Sequence, residues 1–289
     1  MIQLKNGDQI KIMKEAGRIT GEALLIARDH IRPGISTYEL DRLVRQHIEK
    51  SGAKPSFLGY AGFPGSACIS INDEVIHGIP SKRRFLEEGD IVKVDVGAYY
   101  RGFHGDAART IPVGRVSDEA ERLIKITRKS FFAGLDQLKV GNRIGDVGAA
   151  IDAVVVAHGY STVKRYIGHG VGHELHESPD VPNYGTPGRG TRLCAGMTLA
   201  IEPMVNIGSE SVRDLNDGWT VKTADGRIET GMKKLGAIIA DYAEIGCQCV
   251  LNPGSVVCRN SNVYPLTSVR GVIPPDSICK GVGEIVKKV

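Results

Sequence analysis

Long apolar runs, blocks of like charge and cysteines are all scarce in this chain of 289 residues. No window approaches the roughly 18 uninterrupted apolar residues of a membrane-spanning helix, which excludes a helical membrane protein. The first residues, from Met1 to Asp8, lack the basic, apolar and small-residue regions of a secretory signal. The sequence therefore predicts a cytoplasmic protein without a membrane partner.

Charge of one sign is not concentrated anywhere in the chain. The formal net charge is +4 at pH 7 and no run of like charges exceeds three residues, so a nucleic-acid-binding patch is not indicated. The six cysteines, without an export signal, predict buried thiols rather than a disulfide framework. All eight histidines precede residue 177, whereas four of the cysteines follow residue 246. The two ends of the chain thus differ in composition.

Helical and strand patterns alternate through roughly the first 200 residues. Asp8 is predicted to cap a first helix that ends before Pro33, and Ser36 with Glu39 forms a capping box for a second. Further predicted elements are helices over about 117–138 and 144–158 and strands Ala67–Ile71, Ile91–Val96, Phe103–Ile111 and Met197–Glu202. Helices interleaved with short antiparallel strands indicate an α+β fold.

After Gly231 an aliphatic residue recurs at every sixth position. The series is Ile239, Ile245, Leu251, Val257, Val263 and Val269. Small residues follow four positions after the first five, a pattern that resembles the hexapeptide repeat of left-handed parallel β-helices, whose coils take 18 residues each. This run covers less than two coils, so we expect no stable β-helix from this segment alone.

Two acids stand on a predicted hairpin that turns near Arg101-Gly102. Asp95 and Asp106 are eleven positions apart, and we expect them to face one another with Cβ atoms about 5 Å apart. Facing carboxylates repel unless they share a proton or hold cations between them. Solvated surface acids remain the alternative for an isolated pair.

Three histidines fall within eight residues among glycines, which allow close backbone approach to a ligand. They are His169, His173 and His176, and their spacing does not match the helical zinc-protease motif. The glycines among them also fail the dinucleotide-binding spacing, and His173 is most simply a bystander. Glu202 ends a predicted strand beside apolar residues, so this acid needs a partner.

Several motifs together resemble bacterial type I methionine aminopeptidases over about residues 1–228. The matching segments are Phe63–Pro80, Asp95, Gly102–Asp106, Gly168–Gly170, Ile201–Val205 and Trp219–Thr223. The resemblance implies the pita-bread fold, in which two α+β halves surround a dinuclear metal site. It also implies removal of the N-terminal methionine from nascent proteins and peptides.

The resemblance assigns roles to six residues. Asp95, Asp106, His169 and Glu202 match four of the family's five ligands to two divalent ions, for which Co, Mn, Fe or Zn are suitable. The metal pair would hold a hydroxide that attacks the scissile carbonyl, with Glu202 as general base. His77 and His176 correspond to the histidines that hold the substrate and stabilise the oxyanion.

An apolar methionine pocket also follows from the resemblance. Its residues are Phe57, Tyr60, Phe63, Cys68, Leu175 and Trp219, for which plain core packing is the alternative. The implied partners are the N-terminal methionine of nascent chains and the ribosome, and a monomer is expected.

The resemblance stops where the fifth ligand, a glutamate, is expected fourteen residues after Trp219. Lys233 occupies that position, between Glu229 and Asp241. The segment that follows resembles part of a hexapeptide-repeat transferase, and Met232 looks like an internal start, so we interpret the chain as a fusion of two reading frames. The predicted domains are 1–231, aminopeptidase-like, and 232–289, hexapeptide-repeat-like.

Three functions therefore stay open at the level of sequence. The first is an active aminopeptidase that lacks one bridging ligand, and the second is a catalytically inactive pita-bread protein that binds peptides or a partner. The third, a hexapeptide scaffold with an accessory domain, is disfavoured by the short repeat.

Overall fold

The computed structural model describes residues 2–224, 238–252, 255–281 and 284–288. The chain divides into two compact units, Met1–Asp225 and Gly226–Val289. None of the described helices combines the length and apolarity needed to cross a lipid bilayer. The predicted junction at Met232 and the lysine expected to replace the fifth ligand, Lys233, lie outside the described residues.

The described part of the first unit contains helices and short strands in alternation, as the sequence predicts. The α-helices are α1 (Gly7–His30), α2 (Thr37–Lys50), α3 (Asp118–Leu135) and α4 (Ile144–Val156). The first six strands are β1 (Lys54–Pro55), β2 (Ala67–Ile71), β3 (Glu74–Ile76), β4 (Ile91–Tyr100), β5 (Phe103–Pro112) and β6 (Tyr160–Thr162). The next six are β7 (Gly168–Gly170), β8 (Glu177–Val181), β9 (Leu199–Ala200), β10 (Val205–Ile207), β11 (Val212–Asp214) and β12 (Val221–Thr223).

The first two helices begin at different kinds of cap. Ser36 caps α2 by accepting a hydrogen bond from the backbone N–H of Glu39, at the predicted position. The predicted cap of α1 was wrong, because Asn6 rather than Asp8 accepts the first backbone N–H groups and forms a capping box with Gln9. Asp8 lies in the first turn, where its charge favours the positive end of the helix dipole.

A four-stranded sheet lies at the centre of the first unit. Its order is β1-β4-β2, with β5 also paired to β4. Val92, Val94 and Val96 alternate on one face of β4 and join the apolar core that includes α1 and α2 side chains. Because side chains alternate along a strand, Asp95 lies on the opposite face. The core therefore supports one face of the sheet and leaves the other for the acids.

Short antiparallel sheets complete this unit. Their strand orders are β8-β7-β9, β10-β6 and β11-β12-β3. The strand predicted over Met197–Glu202 is shorter in the structure, because pairing ends at Ala200. Glu202 consequently lies beyond the strand, in a stretch without regular pairing.

The second unit is a parallel β-coil. Its described strands are β13 (Ile238–Ile239), β14 (Glu244–Ile245), β15 (Val250–Leu251), β16 (Val256–Val257), β17 (Asn262–Val263), β18 (Ser268–Val269), β19 (Val272–Ile273), β20 (Ser277–Gly281) and β21 (Glu284–Lys287). Successive turns pair Ile239 with Val257, Ile245 with Val263 and Leu251 with Val269, each 18 residues apart. Such pairing stacks the aliphatic residues of the repeat from Ile245 to Val269 in the interior of the coil.

The coil has its own apolar core and a changed register near its end. Val257, Val263 and Val269 are buried there together with Ile273 and Cys279. Because the next buried aliphatic follows Val269 by four positions rather than six, the pairing distance falls to 16 residues, as in Val257 with Ile273. The antiparallel hairpin of β20 and β21 ends the parallel series.

Candidate metal centre and substrate pocket

The hairpin of β4 and β5 carries two of the predicted ligands. Its two-residue loop, Arg101-Gly102, has positive φ at both positions, the conformation of a type I′ turn. This turn pairs Asp95 with Ala108 and Asp106 with Gly97. The expectation that the two acids stand directly opposite was therefore wrong by two residues. They are diagonal neighbours on one face of the hairpin, a separation that side chains still bridge.

Strand β7 brings an imidazole to these acids. His169 pairs with Ala200 of β9, which leaves Glu202 two residues beyond the pairing. The glycines on either side of His169 are required by close packing, because a Cβ at Gly168 would overlap the carbonyl oxygen of Ala200, and one at Gly170 would lie 2.5 Å from that of Ser178. The Gly-His-Gly sequence thus seats the histidine between two neighbouring strands.

Three of the four predicted ligands form a tight group. One ligand atom from each of Asp106, His169 and Glu202 lies within 4.8 Å of the others. The Nε2 atom of His169 is 3.2 Å from Glu202 Oε1 and 3.6 Å from Asp106 Oδ2. The Nδ1 atom of the same ring lies 2.8 Å from the carbonyl oxygen of Gly170, so Nε2 is the nitrogen turned to the acids. Asp95 lies outside this tight group but close enough for its charge to interact with the other two acids.

Burial and mutual repulsion change the acidity of these side chains. Burial, followed by the charges of Asp106 and Glu202, raises the pKa of Asp95 well above its usual range. Burial and the charge of Glu202 raise the pKa of Asp106 to about 7. Burial opposes protonation of His169, but its hydrogen bond to Glu202 and the nearby negative charges outweigh this and raise its pKa.

The donor set fits a divalent cation. The carboxylates of Asp106 and Glu202 converge on the imidazole of His169, and no lysine or arginine contributes to the pKa shifts of Asp95 or Asp106. Uncompensated buried carboxylates are costly. Carboxylate and imidazole ligands are suited to Mn, Fe, Co or Zn ions, which would supply the missing positive charge.

The two predicted substrate histidines lie beside this group with depressed basicity. Burial lowers the pKa of His77. Burial, and then the charge of His169, lower the pKa of His176 to about 4, and its ring centroid is 4.1 Å from that of His169. Tyr60 Oη lies 2.8 Å from His176 Nδ1. Both imidazoles are therefore neutral near pH 7 and can each donate one N–H to an oxygen.

An apolar cluster adjoins the acids. Four of the predicted pocket residues, Phe57, Phe63, Cys68 and Leu175, are buried together, with Trp219 packed against them. Cys68 is the direct cross-strand partner of Asp95, so the floor of the cluster and the acids share one sheet face. The sixth predicted residue, Tyr60, is 42% exposed and lies outside this core.

Several contacts around the site were not predicted from the sequence. Ile79 packs on the pocket cluster, and Tyr166 meets the His77 ring edge to face at 5.9 Å. A buried ion pair joins Lys5 to Glu177, the residue after His176. These contacts join segments far apart in the chain, whereas alternation after His77 could have suggested Ile79.

The remaining histidine of the glycine-rich segment has a structural position. The His173 ring stacks on Phe103 at a centroid distance of 4.1 Å. Its Nδ1 atom lies 2.9 Å from the carbonyl oxygen of Gly102, in the hairpin loop. These contacts hold the segment against the hairpin.

Comparison with known proteins gives consistent matches. The model of metallopeptidase family M24 matches residues 11–243. A methionine aminopeptidase of Clostridium perfringens is 51% identical over 245 residues, which cover 85% of this chain and 98% of that protein. The methionine aminopeptidase of Escherichia coli is 43% identical over 225 residues, covering 78% of this chain and 85% of that protein.

Solved structures give the same pattern. The methionine aminopeptidase of Thermotoga maritima superposes with a TM-score of 0.77 at 45% identity, covering 78% of this chain and 91% of that one. A prolidase of Pyrococcus horikoshii superposes with a TM-score of 0.61 at 29% identity, covering 69% of this chain and 55% of that one. The pita-bread fold expected for the first unit is thereby confirmed.

Proposed function

The chain belongs to metallopeptidase family M24 and, within it, to the methionine aminopeptidases, and from this membership we propose a role for each residue of the site. The activity is metal-dependent removal of the N-terminal methionine from proteins and peptides. The observation that carries the assignment of residues is the group of Asp106, His169 and Glu202, with ligand atoms within 4.8 Å of one another. An apolar cluster of the right chemistry for a thioether side chain adjoins it.

Asp95, Asp106, His169 and Glu202 would hold two divalent ions, of Co, Mn, Fe or Zn. When bound, such ions supply Lewis acidity and a nucleophilic water near neutral pH. Glu202 is the general base of the site, and its side chain, 30% exposed, remains open to the substrate side, where it would take up and deliver a proton. The raised pKa of Asp106, about 7, supports a cation at this place, since a cation would return these acids to the charged form.

The two neutral histidines bind the substrate. His77 and His176 donate N–H groups to the carbonyl oxygen at which negative charge develops, and the neutral form of each ring, favoured by its lowered pKa, retains one N–H for this bond. The methionine side chain lies in the pocket lined by Phe57, Tyr60, Phe63, Cys68, Leu175 and Trp219. Tyr60 acts at its rim, through its hydrogen bond with His176.

The second unit is a hexapeptide-repeat segment joined to the enzyme, with domains at 1–231 and 232–289. The 18-residue pairing interval of the coil supports this origin. The family match extends to residue 243, beyond the proposed boundary.

We propose that the enzyme acts in the cytoplasm, at the ribosome, because its substrates are nascent chains. We also propose that it is a monomer.

Metal binding and peptide hydrolysis test this proposal. We expect two Mn²⁺ or Co²⁺ ions per chain by calorimetric titration, and release of methionine from a Met-Ala-Ser peptide. Glu202→Gln is expected to lower kcat by about 100-fold or more, because it removes the general base. Glu210→Gln is the matched control, since Glu210 pairs with Lys164 at the surface, and it should leave kcat unchanged.

Two outcomes would count against these assignments. Absence of bound metal and of turnover in the unaltered protein would favour the alternative, an inactive peptide- or partner-binding protein of the same fold. Full turnover in Glu202→Gln would remove Glu202 from the mechanism while leaving the activity in place.

A further inference from the structure

Glu202 lies in a stretch of backbone that strand pairing does not hold. Pairing of β9 ends at Ala200, and residues 201–204 have no regular secondary structure. Pro203 follows and has no backbone N–H to contribute to a ladder. A carboxylate whose oxygen must meet His169 at 3.2 Å therefore depends on other contacts to orient its backbone.

The side chain of Asn183 supplies such a contact. Its Nδ2 donates a hydrogen bond of 2.7 Å to the carbonyl oxygen of Glu202. Asn183 is completely buried, and this bond fixes the plane of the peptide that joins Glu202 to Pro203. Because that peptide shares the Cα of Glu202, the bond restricts the direction in which the carboxylate points.

The other half of the same amide is not satisfied. Asn183 Oδ1 is buried without a hydrogen-bond partner among the described residues. An unpaired buried acceptor costs stability, so an apolar residue of similar size would suit a purely structural position better. The hydrogen bond from Asn183 Nδ2 to the Glu202 carbonyl explains why a side chain that reduces stability is found at this position.

Asn183 itself is held by close packing of α4. A Cβ at Gly148 would lie 2.6 Å from the carbonyl oxygen of Pro182 and would overlap that of Tyr184. The helix therefore contacts the backbone on both sides of Asn183, which anchors the amide on a rigid element. This support is the kind that fixes a functional side chain to within a fraction of an ångström.

We propose that Asn183 is a positioning residue, which orients Glu202 toward His169 and the metal ions by binding the Glu202 carbonyl. This inference rests on the proposed role of Glu202. Asn183 acts through Glu202 and does not touch the substrate.

The test compares two buried asparagines whose Nδ2 groups donate to different backbone carbonyls. Asn206 is also buried, its Oδ1 also has no partner among the described residues, and its Nδ2 donates to the carbonyl of Ser209 at 3.1 Å. Asn183→Asp and Asn206→Asp each replace the amide NH₂ donor with a carboxyl group of the same shape, and both variants add the same ionisable group to a buried position. The Asn206 variant is therefore a matched control for loss of stability.

We expect Asn183→Asp to weaken Mn²⁺ binding about 10-fold, the lower end of the effect of removing a group that orients a metal ligand. We also expect kcat to fall with KM little changed, since the pocket is untouched. Asn206→Asp should lower the melting temperature without altering the Mn²⁺ affinity or kcat. Equal effects of the two variants on Mn²⁺ affinity and kcat would overturn the inference.

A structural readout separates this inference from the proposed function. In metal-free crystals of Asn183→Asp, we expect the distance from Glu202 Oε1 to His169 Nε2 to exceed hydrogen-bonding range, whereas it should stay near 3.2 Å in Asn206→Asp. An unmoved Glu202 in the first variant would refute the positioning role even if the enzyme is active. If either aspartate variant fails to fold, the pair Asn183→Ser and Asn206→Ser provides the same comparison.

Discussion

Burial changes the chemistry of the single carboxyl group of Asp106. Its ordinary pKa is 3.8, and burial together with the charge of Glu202 raises it to about 7 in the folded, metal-free chain. A raised pKa means that the folded state binds this proton more tightly than the unfolded state. The resulting contribution to stability is complete below the ordinary pKa and is lost as the pH rises through about 7.

We therefore predict that the melting temperature of chelator-treated protein falls as the pH rises from about 5 to about 8. Asp95, whose pKa is raised by burial, acts in the same direction. Mn²⁺ should restore stability most at the upper end of this range, because metal ligands must be deprotonated. Thermal melts with and without Mn²⁺ measure both effects.

Asp106→Asn is the control for this pH dependence. Its side chain has no charge to repel the neighbouring acids, so the decline between about pH 5 and about pH 8 should be smaller than in the unaltered protein. An undiminished decline in this variant would show that other groups cause the effect.

The family resemblance, which local motifs carry, was enough to single out the acids and histidines, and the structure brings Asp106, His169 and Glu202 together. Contacts between segments that are distant in the chain produce no local sequence pattern. Asn183 follows an ordinary Val-Pro sequence, and nothing local connects it with Glu202, nineteen positions later. The proposed role of Asn183 depends on the early end of strand β9 at Ala200, which the sequence does not predict.

At the scale of elements, the β4–β5 hairpin shows why register is harder to predict than strand position. Both strands and the loop at Arg101-Gly102 were expected, but the acids were placed directly opposite each other. A two-residue loop pairs Tyr100 with Phe103, and counting back from that pair gives Asp95 with Ala108. The geometry of the turn thus sets which residues face one another. An error of two residues changes the partner but keeps each side chain on the same face of the strand.

Helix α4 allows a prediction about close packing. Gly148→Ala places a methyl group against the carbonyl oxygens of Pro182 and Tyr184. We expect it to destabilise the first unit by about 1–3 kcal/mol, the usual cost of overpacking. Chemical denaturation measures this change.

The matched control is Gly17→Ala in helix α1. An added Cβ at Gly17 meets nothing within 4 Å, and alanine is a better helix former than glycine, so this variant should gain about 0.5–1 kcal/mol. The two changes are chemically identical and should have opposite signs. A stabilising Gly148→Ala would mean that the contact between α4 and the 182–184 segment is loose.

At the scale of the molecule, each of the two units has an apolar core of its own. The resemblance to a family was enough to predict the fold of the first unit. The composition of the whole chain could not reveal the second, because averages over 289 residues conceal a change of pattern near residue 231. The six-residue period predicted a hexapeptide-repeat β segment but no stable coil from that segment alone, and it did not predict the 16-residue pairing interval near its end.

Separate cores predict separate unfolding transitions. Val263→Asp buries a charge inside the coil, where Val263 is 3% exposed, and we expect it to lower or abolish one calorimetric transition while methionine release continues unchanged. Val250→Asp changes a residue that is 57% exposed and should have little effect. A single transition that shifts with Val263→Asp would contradict this independence.

The antiparallel hairpin that ends the coil has a consequence for association. A stack of parallel rungs with an open last rung is a template on which a strand of another molecule can continue the ladder. In this chain β21 covers β20 in the opposite direction. It is only four residues long and carries the charged residues Glu284 and Lys287, features by which edge strands resist pairing. Among the described strands, β21 thereby closes the β14-β17-β20 sheet of the coil against continuation of its parallel ladder by another molecule.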